Sequence, residues 1–165
     1  MKGKVIKYDR KNIDTDLIIP ARYLTSSDLS HLAKHCMEDL DPDFNKKKEK
    51  FGYSIIVGDS NFGSGSSREQ APLAIKAAGI QCVIAPSFAR IFFRNAINLG
   101  LPVLICDTDK IDDGDELEVD LSAGTVRDIT NGSQLTFGKI PEVMLHILDE
   151  GGLIPYIKKY GDFKL

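Results

Sequence analysis

The chain has 165 residues, of which 42% are hydrophobic and 27% charged, with a formal net charge of −3 at pH 7. A chain of this length is one domain, 1–165, able to bury a core without disulfides or a structural metal, and its mild acidity argues against nucleic acid as a partner. The N-terminal MKGKVIKYDR lacks the apolar run of a secretory signal, and no segment reaches the roughly 18 uninterrupted apolar residues of a membrane span, so a soluble, cytoplasmic protein without membrane contact is expected.

Residues 2–7 (KGKVIK) predict a short strand, and the Asp- and Asn-rich stretch 9–16 a loop at its end. Asp14 and Asp16 bracket Thr15 ahead of an apolar tripeptide and Pro20, where an acid suits an Asx turn or a helix cap. PARYLTSSD (20–28) reads as a loop, followed by a helix over about 29–39 with Ser26, Ser27 or Asp28 as its N-cap. The charge run 39–50, DLDPDFNKKKEK, reads as a solvated loop.

The chain is organised around 53–68, YSIIVGDSNFGSGSSR. Residues 53–57 have the length and β-branched content of a buried strand, and 69–78 carry apolar residues at helical spacing. The loop between them lies at a strand's C-terminal end. There α/β sheets open onto a ligand crevice, and the next helix presents free N–H groups and its positive dipole end. Gly58, Gly63 and Gly65 permit positive φ and close approach of the backbone to a ligand. Ser64, Ser66, Ser67 and Arg68 offer hydroxyls and a guanidinium fork for carboxylate or phosphate. The plainer account is a tight turn, with Ser66 or Ser67 as a helix cap and Arg68 as a surface charge. Neither a Gly-Lys-Ser/Thr nor a G-x-G-x-x-G pattern is present, which disfavours a nucleotide.

Gly79 fits the C′ position of the helix, and 81–85 (QCVIA) a second buried strand parallel to the first. Ser87 is expected to cap a helix carrying Phe88, Ile91, Phe92, Ala96 and Leu99 on its core face, with Arg90, Arg94, Asn95 and Asn98 as its solvated face. A third strand follows at 101–106 and an acidic turn at 108–115. Residues 116–121, 125–129 and 133–137 alternate between Ser-Ala-Gly and Asn-Gly turns as an antiparallel meander. Pro141 suits N1 of a helix closed by Gly151 and Gly152, with His146 as a structural residue and a last short helix over 155–160. The coarse result is β/β/α layering around a mixed sheet. The three cysteines, Cys36, Cys82 and Cys106, are widely spaced and have no C-x-x-C pair or histidine cluster nearby, so they read as reduced thiols and not as metal or iron–sulfur ligands.

Three segments, IDTDLIIPARYL (13–24), GSGSSRE after a strand, and PSFARIFFRNAINLGLPVL (86–104), occur in the order found in the swivelling domain of the aconitase superfamily. The chain resembles that domain over essentially its whole length, in the free-standing form that serves as a small subunit. The resemblance implies an α/β fold, the three-layer β/β/α swivelling domain with a mixed sheet, as in the aconitase C-terminal domain. It implies a hydro-lyase for a small dicarboxylic hydroxy acid, interconverting 2- and 3-isopropylmalate in leucine biosynthesis, active only with a large subunit in a heterodimer or higher heteromer. The [4Fe-4S] cluster of such an enzyme is expected in the large subunit, with no cofactor on this chain. A homo-oligomer of the isolated small subunit is compatible with the resemblance.

By the same resemblance Ser66 is the base, acting as an alkoxide, and Asp16 supports it. Ser67 and Arg68 hold a substrate carboxylate, with Ser64 beside them in the loop. Thr25 and Ser26 lie in YLTS, where related homoaconitase subunits carry YLRT. A threonine cannot neutralise a third carboxylate in a desolvated pocket, where an unpaired charge costs several kcal/mol or more. The distal group of the substrate is therefore expected to be neutral and apolar, unless Arg22 turns inward. A homoaconitase-type or 2,3-dimethylmalate dehydratase subunit is the alternative of the same class, and a non-catalytic carboxylate- or phosphate-binding module the alternative of another.

Overall fold

The computed structural model describes residues 1–26 and 28–161, so the capping expectation at Ser27 lies outside the described residues. Four strands, β1 (Lys2–Lys7), β2 (Tyr53–Val57), β3 (Cys82–Ala85) and β4 (Val103–Ile105), form a parallel set in the order β4-β3-β2-β1. All of β3 and the end of β2 are buried, as expected of parallel strands covered on both faces. β1 also pairs antiparallel with β5 (Glu116–Asp120), which continues into β6 (Thr125–Asp128) and β7 (Gln134–Thr136), so one mixed sheet of seven strands results. β5 alternates charged-out and aliphatic-in, with Leu117 and Val119 buried.

The strand alternation divides the interior into two cores. Ile6, Ile56, Val83, Ala85 and Val103 face the helices, whereas Val5, Ile55, Val57, Cys82, Ile84 and Leu104 face Leu117, Val119 and Val126 of the antiparallel half. The sheet thus curls onto itself, and the layers run antiparallel strands, parallel strands, helices, which is the expected β/β/α order. Between β1 and β2 lie α1 (Thr15–Ile18), a 3-10 turn (Ala21–Tyr23), α2 (Leu29–His35) and α3 (Phe44–Phe51). The crossovers are α4 (Gln70–Ala77) and α5 (Arg90–Asn98), and the chain ends in α6 (Glu142–Asp149) and α7 (Leu153–Tyr160).

Several local expectations are corrected. The charge run is not a loop, because α3 folds there with Phe44 buried against the core and Gly52, at φ +73°, stopping it. Asn45 Nδ2 donates to the Ala33 and Lys34 carbonyls at the end of α2, and the nearly buried Asp41 accepts from Tyr8 and Lys47, so the charges are tied to the core. α2 ends at His35 and not near Asp39, since Cys36 leaves the helix and the Met37 amide donates to Ile18 O. Asp28 is the α2 cap, its Oδ1 accepting from the Ser30 amide at 3.0 Å, while Ser26 Oγ accepts from the Asp28 amide. Pro141 occupies the N-cap of α6, not its first helical position, and α7 begins before Pro155, which sits in its first turn. His146 lies half-exposed on α6, one turn from Glu142.

Asp128 on β6 is fully buried, its Oδ1 accepting from the Thr130 and Asn131 amides and its Oδ2 having no donor among the described residues. Burial, and then the neighbouring Asp115 carboxyl, push it up from 3.8 to about 6. The folded state therefore holds this proton more tightly than the unfolded state. Stability from this group is fully present below about pH 4 and is lost as pH rises through about 6. Asp128→Asn is expected to raise unfolding stability at pH 7.5 by on the order of 1–3 kcal/mol and to change it little at pH 4, measured by denaturant melts at both values. A pH-independent effect would remove the assignment.

Candidate functional site

β1, β2 and β3 are parallel, so their C-terminal ends share one edge and each releases a loop there. These loops are stitched together by backbone. The Gly63 amide donates to Ile13 O at 2.7 Å and the Thr15 amide to Ser64 O at 2.9 Å, while the Phe62 amide donates to Ser87 O and the Ala89 amide to Phe62 O. Ser87 Oγ accepts from the Asn61 amide, so it holds this crossing instead of capping α5, which starts at Arg90 with Ala89 as cap.

Gly63 is required twice over: its φ is +83°, and a Cβ would fall 2.2 Å from the Phe92 ring. Gly65 also has positive φ. Gly58, expected to share that conformation, does not; a side chain there would meet the Phe62 ring at 2.6 Å, so packing selects glycine.

Beyond the stitch, Ser66, Ser67 and Arg68 line a cleft of about 190 Å³ whose opposite wall is the first turns of α5, including Arg90, Ile91 and Asn95. Thr15 lies between them, and its Oγ1 donates to Ser66 O at 3.0 Å. Neither serine caps α4: the N-cap is Glu69, with no side-chain bond, and both Ser66 and Ser67 are exposed. Among the described residues, no carbonyl or side chain accepts from the amides of Gly65, Ser66 or Ser67. The cleft thus combines free hydroxyls, free amide donors and guanidinium groups, an arrangement that binds anions and stabilises a developing oxyanion.

The expected site residues are distributed unevenly. Ser66, Ser67 and Arg68 come together, and Asp16 joins them through an ion pair with Arg68 in which the arginine is largely buried and the aspartate exposed. The direct link from this part of the chain to Ser66 is made by Thr15, which sequence reasoning passed over. Ser64 is half-buried and contributes its carbonyl to the stitch without lining the cleft. Thr25 and Ser26 follow the 3-10 turn and do not line the cleft. Arg22 does not turn inward: it forks onto Asp39 at 2.6 and 3.1 Å, holding that carboxyl below its usual range, and stacks on Tyr23. Arg90 and Asn95, read as solvated face, line the cleft instead. Their signal lay in topology, because a helix that follows a parallel strand starts at the crevice edge.

An iron–sulfur cluster, which the resemblance attaches to this chemistry, finds no ligand set among the described residues. Cys36 lies in the helix-side core and Cys82 and Cys106 on the opposite side of the sheet. Burial pushes Cys82 up to about 12 and Cys36 well above the ordinary thiol range, which disfavours the thiolate a metal needs. No group of three or more His, Cys, Asp or Glu is placed to hold a metal ion among the described residues.

The family model described as the aconitase C-terminal domain matches residues 1–107. The chain is 58% identical to a "3-isopropylmalate dehydratase small subunit 2" of Archaeoglobus fulgidus, over 100% of this chain and 99% of that protein. It is 55% identical to an "isopropylmalate/citramalate isomerase small subunit" of Methanocaldococcus jannaschii, over 96% of this chain and 94% of that protein. Among solved structures, a 3-isopropylmalate dehydratase from Methanocaldococcus jannaschii matches with a TM-score of 0.90 at 45% identity, covering 97% of this chain and 94% of its own.

Because Gly63 combines positive φ with contact to Phe92, Gly63→Ala is expected to lower unfolding stability by about 2–4 kcal/mol in a denaturant melt. A loss below about 0.5 kcal/mol would show that the loop crossing tolerates a side chain.

Proposed function

Since the chain belongs to the aconitase C-terminal domain family, we propose that it acts as the small subunit of a two-subunit hydro-lyase interconverting 2-isopropylmalate and 3-isopropylmalate by dehydration and rehydration. The observation that carries this reading is the serine–arginine cleft on a chain 58% identical, end to end, to a relative of that name. The activity is hydro-lyase activity and depends on a large subunit. In this reading the large subunit would carry the [4Fe-4S] cluster, which would supply Lewis-acid chemistry, since the residues here do not fit a cluster. The enzyme is taken to be cytoplasmic, with its thiols reduced.

The reaction breaks a C–H bond beside one carboxylate and a C–O bond at the adjacent carbon, leaving the C–H electron pair in the new double bond. Rehydration returns the proton and the hydroxyl to exchanged carbons. The proton is weakly acidic, so its acceptor must be a strong base held in a dry site. Ser66 Oγ fills that role as an alkoxide. Its peptide is anchored by Thr15 Oγ1, and nearby unpaired amides stabilise the negative oxygen by a few kcal/mol per well-placed donor. The Arg68 guanidinium has five donors; the Asp16 pair orients it and leaves the rest for a substrate carboxylate, beside the Ser67 hydroxyl. Asp16 in this scheme acts through Arg68.

The cleft wall supports an apolar substituent. Ile91 lines it while 44% exposed, a large aliphatic surface that an alkyl group would cover. Arg22 is committed to Asp39 and brings no charge to the cleft, which disfavours a third carboxylate such as that of homocitrate. Citramalate, named for one relative, differs from isopropylmalate only in its alkyl group and belongs in the same substrate class.

With the reconstituted pair, turnover of 2-isopropylmalate and citramalate but not homocitrate is expected. Ser66→Ala should lower kcat by roughly 1,000-fold or more, with assembly unchanged by gel filtration. Ordinary turnover by Ser66→Ala would remove the base assignment.

A further inference from the structure

We propose that Arg90 is a second carboxylate clamp of this cleft, gripping the substrate carboxylate that Arg68 does not hold; the inference rests on the reading of the site given above. A malate-type substrate brings two negative charges into the cleft. Among the described residues no Asp or Glu lines that cleft, and its charged lining residues are Arg68 and Arg90. Arg68 is already paired with Asp16, so its positive charge is offset before substrate arrives. A dianion meeting that neutralised pair alone would lack a free positive partner for its carboxylates in a water-poor site.

Arg90 supplies the missing charge. It is exposed, and among the described residues it has no ion pair and no side-chain hydrogen bond, in contrast to Arg22 and Arg68, which each have an aspartate. The backbone that carries it is fixed. The residue before it, Ala89, donates its amide to Phe62 O at 2.9 Å, and Phe92, two residues on, packs edge-to-face on Phe62 at 5.5 Å and stacks on Phe88. Arg90 therefore starts from a rigid first turn, so a binding carboxylate has only the side chain to order, and no existing ion pair has to be broken. Asn95 lines the same wall and offers an uncharged donor beside it. Arg68 and Arg90 approach from the two sides of the cleft, one on the serine loop and one on α5, as two clamps on a dicarboxylate must.

The test is steady-state kinetics on the assembled two-subunit enzyme, with Arg90→Gln and Arg90→Ala beside Arg94→Gln, an exposed residue one turn further along α5 that does not line the cleft. Arg90→Gln should raise KM for 2-isopropylmalate roughly 10- to 100-fold and change kcat by less than about 5-fold. Free guanidinium ion at tens of millimolar should restore part of the loss in Arg90→Ala, which a purely structural role would not allow. Arg94→Gln should behave as the parent enzyme. An unchanged KM in Arg90→Gln, or a loss confined to kcat without guanidinium rescue, overturns the clamp while leaving the Ser66 reading in place. A parent pair unable to turn over 2-isopropylmalate overturns that reading and the clamp with it.

Discussion

The crossing of the 61–65 loop between two other loops is the constraint on which the site depends. Backbone bridges from Asp14 to Ser64 and from Phe62 to Phe88 join the ends of β1, β2 and β3 at one point. Only a glycine fits at position 63, where the backbone is left-handed and the Phe92 ring fills the space a side chain would need. Everything chemically useful follows from that crossing. It sets Ser66 against Thr15, brings Arg68 to Asp16, and turns the start of α5 toward the serine loop. Preorganisation of this kind matters because donors aimed at a developing charge help most when nothing has to reorganise during the reaction.

The rest of the fold keeps that edge rigid. The parallel strands are dry on both faces because helices cover one and the curled antiparallel half covers the other. Buried polar groups are few, and the least satisfied of them, Asp128, sits on β6, outside the three strands that release the site loops. The division of labour is chemical as well as structural. The cysteines are spent on packing, and the cleft is rich in hydroxyls, amides and guanidinium groups; in the function proposed above this chain would offer the base and the anion clamps and leave the electrophile to a partner.

Much of this was legible in the sequence where one physical effect dominates. The β-branched runs became β2 and β3, Gly79 terminated α4 in the left-handed conformation, and the alternating segments became the β5 to β7 meander. The serine–arginine loop announced itself by composition and position. What could not be read depended on contacts between distant segments. The 39–50 charge run became helical because Phe44 reaches the core and Asp41 and Asn45 bind partners far along the chain. Ser87 looked like a cap because only the fold reveals that the Asn61 amide competes for it. Arg90 looked like surface because helical spacing says nothing about which loop lies opposite. Thr25 and Ser26 do not line the cleft of this single chain.

In the function proposed above, this chain is one half of a site completed by a cluster-bearing large subunit. The most direct measurement mixes the two chains anaerobically, adds 2-isopropylmalate, and follows the ultraviolet absorbance of the unsaturated acid, with each chain alone as control. The account predicts formation of the alkene only in the mixture. Turnover by either chain alone, or a silent mixture in which the large subunit's cluster is intact and the two chains associate, would contradict it.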